Sequence, residues 1–231
     1  MRQILKYIIN IIALFIFVQP TFGQIEKWIP SQIKVGGDLS YLGVNLISKE
    51  KNQFELTADI DVNRFFITGD YGFAEWKFTD EDYAYNNSGI YFRAGIDYNF
   101  IKIDEDNNTI YIGFRYASSQ FNENFEYAII DPIYGNYTEN IQVTGRNGRW
   151  FEGVVGMKIQ VWKGLFLGWT ARFKFAKKIS SPPATFNNFW IPGYGKSSRE
   201  SVWGLNYQIF YRIPLRKKKI IIPPEVEEIE N

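Results

Sequence analysis

The chain has no cysteine and no histidine among its 231 residues. Without cysteine there is no disulfide, no thiolate nucleophile, no cysteine metal site and no lipoprotein anchor. Without histidine the usual general base, the common nitrogen metal ligand and the side chain that titrates near neutrality are missing together. Ser-His-Asp and Cys-His nucleophile arrangements are therefore excluded. Charge of one sign is lacking too. The 26 Lys and Arg stand against 25 Asp and Glu, and a net +1 offers nothing to nucleic acid. Beyond residue 23 no apolar run reaches the length of a membrane-spanning helix. The expectation is a chain with no catalytic residues, no cofactor, no metal and no nucleic-acid partner.

What the chain has in plenty is aromatic surface: 20 Phe, 15 Tyr and 7 Trp, or 18% of all residues. The first 23 residues read as an export signal. Arg2 and Lys6 give a positive start, positions 8–18 are apolar except for Asn10, and Pro20 breaks the run. Cleavage is expected between Gly23 and Gln24, since a small residue suits signal peptidase and the apolar core is short for a transmembrane helix.

The centre of the pattern is the stretch 150–178. Leu165, Leu167, Trp169, Ala171, Phe173 and Phe175 alternate with Gly168, Thr170, Arg172 and Lys174. Before them Gly153, Val155, Met157, Ile159 and Val161 alternate with Glu152, Lys158 and Gln160. A period of two means strands, and the Lys163-Gly164 turn between the runs makes them a hairpin. The same alternation predicts strands over about 32–46, 53–62, 65–78, 89–101, 109–121 and 200–213, eight in all. Each is long enough for the roughly 9–11 residues of a tilted membrane-crossing strand. Connections after the second, fourth and sixth strands are short. Those after the third, fifth and seventh are read as long loops, at 79–88, 122–149 and 179–199. Short connections at one end and long ones at the other mark a transmembrane barrel.

One face of these strands is charged. It carries Lys34, Arg93, Arg115, Lys158, Arg172, Lys174 and Arg212 with Asp38, Glu55, Asp59, Asp61, Asp70, Asp97 and Glu152. Balanced signs suit ion pairing inside a barrel just wide enough to be filled by side chains. Solvent-facing charges on a soluble lipocalin-like barrel are the alternative. Trp162 and Trp203 fit aromatic girdles at opposite rims, whereas Trp76 and Trp150 do not fit by parity and belong above the bilayer or in loop packing. The acidic groups Asp59/Asp61, Asp104/Asp106 and Asp80-Glu81-Asp82 are read as barrel filling or solvated turns before calcium sites. Asn136-Tyr137-Thr138 matches a glycosylation acceptor but carries little weight behind a bacterial-style signal. Residues 216–231 form a basic, then Ile-Pro-rich, then acidic tail expected to be extended.

Several pieces of the chain carry a resemblance: 34–39 (KVGGDL), 111–116 (YIGFRY), Trp150-Phe151-Glu152 with Val161-Trp162, Leu167-Gly168-Trp169, and 190–195 (WIPGYG). They resemble an uncharacterised family of exported β-barrel-like proteins from the Bacteroidota, a domain of unknown function. In architecture the pattern is similar to the OmpA/OmpX-like barrels. The family implies no activity and no functional residues. The expected organisation is a signal peptide (1–23), a lead-in (24–31), an eight-stranded antiparallel up-and-down outer-membrane barrel (32–215) and a periplasmic tail (216–231). The expected role is structural or interaction-based. Outer-membrane lipid surrounds the barrel, and the outer loops or the tail meet protein partners. A narrow pore or transport accessory is the runner-up.

Overall fold

The computed structural model describes residues 28–48, 50–101, 106–132, 135–180 and 188–216. The signal, the Gly23/Gln24 cleavage point, Asp104 and the tail from 217 onward lie outside the described residues. Among the described residues the fold is all-β with one short helix. In chain order it runs β1 (Gln32–Asp38), α1 (Leu39–Ile47), β2 (Lys51–Val62), β3 (Phe65–Thr79), β4 (Tyr83–Asn99), β5 (Thr109–Asp131), β6 (Gly135–Trp162), β7 (Leu165–Ser180), β8 (Trp190–Ile191), β9 (Gly195–Lys196) and β10 (Val202–Pro214).

Eight of the strands form one antiparallel sheet, and neighbours in sequence are neighbours in space except where β8 and β9 form their own small ribbon. The sheet closes into a barrel because β1 pairs with both β2 and β10. Closure removes the free edges that an open sheet would leave, except beyond Asp38, where β1 ends before β2 and β10 do. At one end the turns are tight. Asn63 takes a φ of 63° between β2 and β3, and Gly164 a φ of 78° between β6 and β7. We call this end the lower end.

The alternation seen in the sequence resolves into an inside and an outside. Ile67, Ile96, Ile112, Phe114, Val155, Leu205 and Tyr211 are about half exposed or more on the outer wall. Arg93, Asp97, Glu55, Asp70 and Glu152 are buried inside it. The barrel is thus apolar outside and charged inside.

Three expectations about the elements are corrected. The first strand ends at Asp38, not near residue 46, and α1 follows. Asp38 caps the helix by accepting from the Ser40 amide at 2.7 Å. Leu39, Leu42 and Leu46 then repeat at helical spacing. Second, residues 79–88 are mostly strand: β3 runs to Thr79 and β4 starts at Tyr83. Third, residues 122–149 are not a loop. β5 and β6 continue past the barrel as a long hairpin, broken by one irregularity between Phe121 and Glu123. β4 pairs with that hairpin as far as Tyr83–Tyr127. The result is a sheet that stands above the barrel, where Glu75, Lys77, Asn86 and Arg149 replace the apolar outward row.

Candidate functional site: the barrel interior and its upper mouth

The interior has two layers, and the lower one is ionic. Arg93 on β4 meets Glu55 on β2 at 2.7 Å and Glu152 on β6 at 3.0 Å. Arg115 on β5 meets Asp70 at 2.7 Å and Asp97 at 2.9 Å. Arg172 on β7 crosses the barrel to Asp70 at 3.1 Å and reaches Glu152 at 3.2 Å and Glu55 at 3.4 Å. Three guanidiniums and four carboxylates therefore form one network, and β3 and β7 are opposite walls in the strand order. Below it Lys158 pairs with Asp59. Planar guanidiniums suit this role because each fork serves two or three carboxylates at once.

Room for these side chains comes from the strand opposite. Gly95 faces Arg115 and Gly113 faces Asp97 in register. A Cβ at Gly95 would stand 2.6 Å from Arg115 Cγ, so only glycine lets the guanidinium lie flat across the neighbouring strand.

Not every expected member joins the network. Asp38 is buried, but it is taken up by Ser40 and Asn206 and serves as a helix cap. Asp61 accepts from the Ser31 and Gln32 amides and anchors the start of β1. Lys34 donates to the Asn107 carbonyl and lies 4.2 Å from the Phe166 ring centroid. Lys174 donates to the Gly193 carbonyl at 2.7 Å and the Tyr194 carbonyl at 3.2 Å. Arg212 is only half-buried at the lower end, where its guanidinium lies over Phe166. The described residues bring it no carboxylate within ion-pair distance. Three inward phenylalanines, Phe66, Phe166 and Phe210, line this lower layer and receive the lysines on their faces. Parity would have found them, since each occupies an inward slot among polar residues.

The upper layer is aromatic and comes mostly from one segment. Trp190, Ile191 and Tyr194, in and beside the β8–β9 ribbon, drop into the mouth of the barrel. They pack with Ala74, Tyr91, Ala117, Phe121 and Trp150. Gly193 holds the turn with a φ of 79° and lies on the Tyr91 ring. Its carbonyl accepts from Arg93 at 3.1 Å, which ties this plug to the ionic layer. Part of the stretch 179–199 is therefore a stopper; residues 181–187 lie outside the described residues. Trp150 points inward, donates to Glu152 at 2.7 Å and meets Tyr194 edge-on. Trp76 packs edge-on against Tyr85 and Trp190. Both tryptophans belong to the plug's surroundings rather than to a girdle. Trp162 and Trp203 lie on the outer wall, 74% and 71% exposed, near the lower turns and near the upper end respectively.

Above the plug, Glu123 pairs with Arg146 at 3.1 Å, and Asn87 donates to the Trp190 carbonyl at 2.9 Å. Burial pushes the Glu123 carboxyl above its ordinary range, and burial beside Glu123 pushes the Tyr85 hydroxyl up as well. Among the described residues no group of three His, Cys, Asp or Glu is placed to hold a metal ion. The chemistry of this arrangement is mutual neutralisation: Arg93, Arg115, Arg172 and Lys158 are held by carboxylates, and Lys34 and Lys174 by backbone carbonyls.

No curated protein matches the chain. A family match described as a domain of unknown function, DUF6048, covers residues 4–218. The chain, with its ionic interior and aromatic stopper, belongs to the DUF6048 family.

Proposed function

We propose that the protein is a small outer-membrane β-barrel, exported by a cleaved signal peptide, that acts as a structural or protein-interaction component of the cell envelope. The observation that carries this reading is the inversion of the wall. Outward residues are apolar over Phe65 to Phe73 on β3, Ile90 to Tyr98 on β4, Phe151 to Val161 on β6 and Trp203 to Ile213 on β10. Each stretch matches the roughly 9–11 residues that cross a bilayer at a tilt. Directly above, the outward row turns polar at Glu75, Ser88, Gln120 and Arg149. A water-soluble barrel would hide this band and show its charges.

A closed interior fits the same reading better than a pore. Arg172 spans the lumen to Asp70, and the plug fills the upper mouth. The sheet built from β4, β5 and β6 above the band is the part that water and protein partners reach.

The test is membrane fractionation followed by gel migration with and without boiling. The expected result is outer-membrane fractionation and a shift in mobility on boiling. A soluble protein whose mobility is the same in both lanes overturns the proposal.

A further inference from the structure

The barrel wall is broken at one place. β1 stops at Asp38, its last partners being Gln208 on β10 and, one residue earlier, Leu56 on β2. Beyond that point residues 51–55 of β2 and residues 202–207 of β10 have no strand between them. The break lies in the upper half of the apolar band, flanked on the outside by Phe54, Leu205 and Trp203. Unpaired strand edges are costly in hydrocarbon, so something must cover them.

What covers them is α1, the only helix among the described residues, which packs against both β2 and β10. Its sequence, LSYLGVNLI, holds no charged residue. Leu46 and Ile47 are 89% and 88% exposed, and Leu42 is half exposed. A helix facing water carries a polar outer face. This one shows leucine and isoleucine, continuous with the apolar band beside it.

The helix is also weakly held. Nine residues with Gly43 at the centre are marginal as a helix. Asn45 takes the place of the missing strand by donating to the Gln53 carbonyl at 2.7 Å and accepting from the Gln53 amide at 2.8 Å. On the inner side Tyr41 lies near Tyr91, whose hydroxyl donates to Glu55 at 2.6 Å.

We propose that the break between β2 and β10 is a lateral portal onto the outer leaflet, that α1 is its door, and that the ligand it meets is the hydrocarbon chain of a membrane lipid. This rests on the membrane reading above. When the Asn45 clamp opens, an acyl chain enters between the two strand edges and reaches Tyr41.

The test uses the full chain refolded into phospholipid vesicles that carry a lipid with a photoreactive acyl chain, with adducts mapped by mass spectrometry. In the unmodified protein adducts are expected on Leu42, Leu46 and Ile47, and on Phe92 in the band. In Asn45→Ala they are expected on Tyr41 as well, increased about thirtyfold over the unmodified protein, the factor that losing two hydrogen bonds to backbone carries. The boiling-dependent gel shift shows that the variant still folds. Adducts on Phe92 but none on α1 overturn the portal while the membrane reading stands. Adducts on α1 with Tyr41 unlabelled in both proteins make α1 a fixed patch and overturn the door. Adducts on neither Phe92 nor α1 overturn the membrane reading as well.

Discussion

The two layers inside the barrel fill the same kind of space in opposite ways. The lower layer is built from seven charged residues spread over six strands, from Glu55 on β2 to Arg172 on β7. The upper layer is built largely from one segment, with Trp190, Ile191 and Tyr194 inserted together. The difference is one of cooperativity. Arg172 depends on Asp70 from the opposite wall, and Arg93 on partners two strands away on each side, so the ionic layer is complete only when the barrel is closed. An aromatic stopper depends on shape and burial, and one segment can supply it once the mouth exists. The barrel should therefore fail as a whole when the ionic layer is damaged, and fail locally when the stopper is.

The largest expected effect comes from Arg93→Met, which leaves Glu55 and Glu152 short of a partner. Removing one side of a buried pair costs about 3–5 kcal/mol. A urea titration in detergent should show the whole barrel unfolding earlier. A loss below about 1 kcal/mol would mean that the carboxylates find other compensation and that the layers do not differ as described.

The walls around the two layers sharpen the comparison next. Ile96 faces outward at the level of the ionic layer, and Asn86 faces outward at the level of the upper sheet. On the outer-membrane proposal, Ile96→Lys should cost about 2–4 kcal/mol, as a lysine facing lipid near a bilayer midplane does. Asn86→Lys should stay within about 0.5 kcal/mol, as surface changes do. Equal costs at the two positions would place both layers in the same medium.

Ile191→Ala removes a fully buried side chain from the stopper and should cost about 2 kcal/mol, the lower end for such truncations. The loss should appear as faster hydrogen exchange over residues 188–199, with the urea midpoint of the barrel unchanged. If the midpoint falls as far as in Arg93→Met, stopper and ionic layer are one cooperative unit.

The smallest effect concerns pH. The Glu123 carboxyl above the stopper is raised by burial. Its folded form holds the proton longer than its unfolded form. The stability this contributes is present below the ordinary glutamate value, about 4.3, and is lost as pH rises through the folded value. Protection factors around Glu123 and Arg146 should rise slightly as pH falls from neutral towards that range. A fall in protection would mean that the ion pair with Arg146 outweighs burial.

Much of the wall was legible in the sequence because side chains alternate with a period of two wherever the two faces meet different media. Ile90, Phe92 and Ile96 against Arg93 and Asp97 needed no tertiary information. The upper sheet was harder to read because both its faces meet water or aromatic rings. Even so, Phe121, Glu123, Phe125 and Tyr127 on β5 keep a period of two, and that signal extends the strand past residue 121. α1 was missed because Leu39 and Tyr41 continue the strand's alternation, and the helical repeat of leucines starts only beyond them.

By itself the sequence determined that this is a β protein with one apolar and one charged face, without cysteine or histidine. Those properties follow from local periodicity and from which residue types are present. Only the tertiary structure decided which face is inside, which charges meet and what fills the mouth. Arg172 and Asp70 are 102 residues apart and touch because the barrel closes. Asp38 and Arg212 share the charged face yet stay out of the network, because Asp38 is taken up by Ser40 and Asn206 at the helix cap and Arg212 lies at the lower end over Phe166. β1 ends at Asp38, which caps the helix that packs on β2 and β10 beyond it.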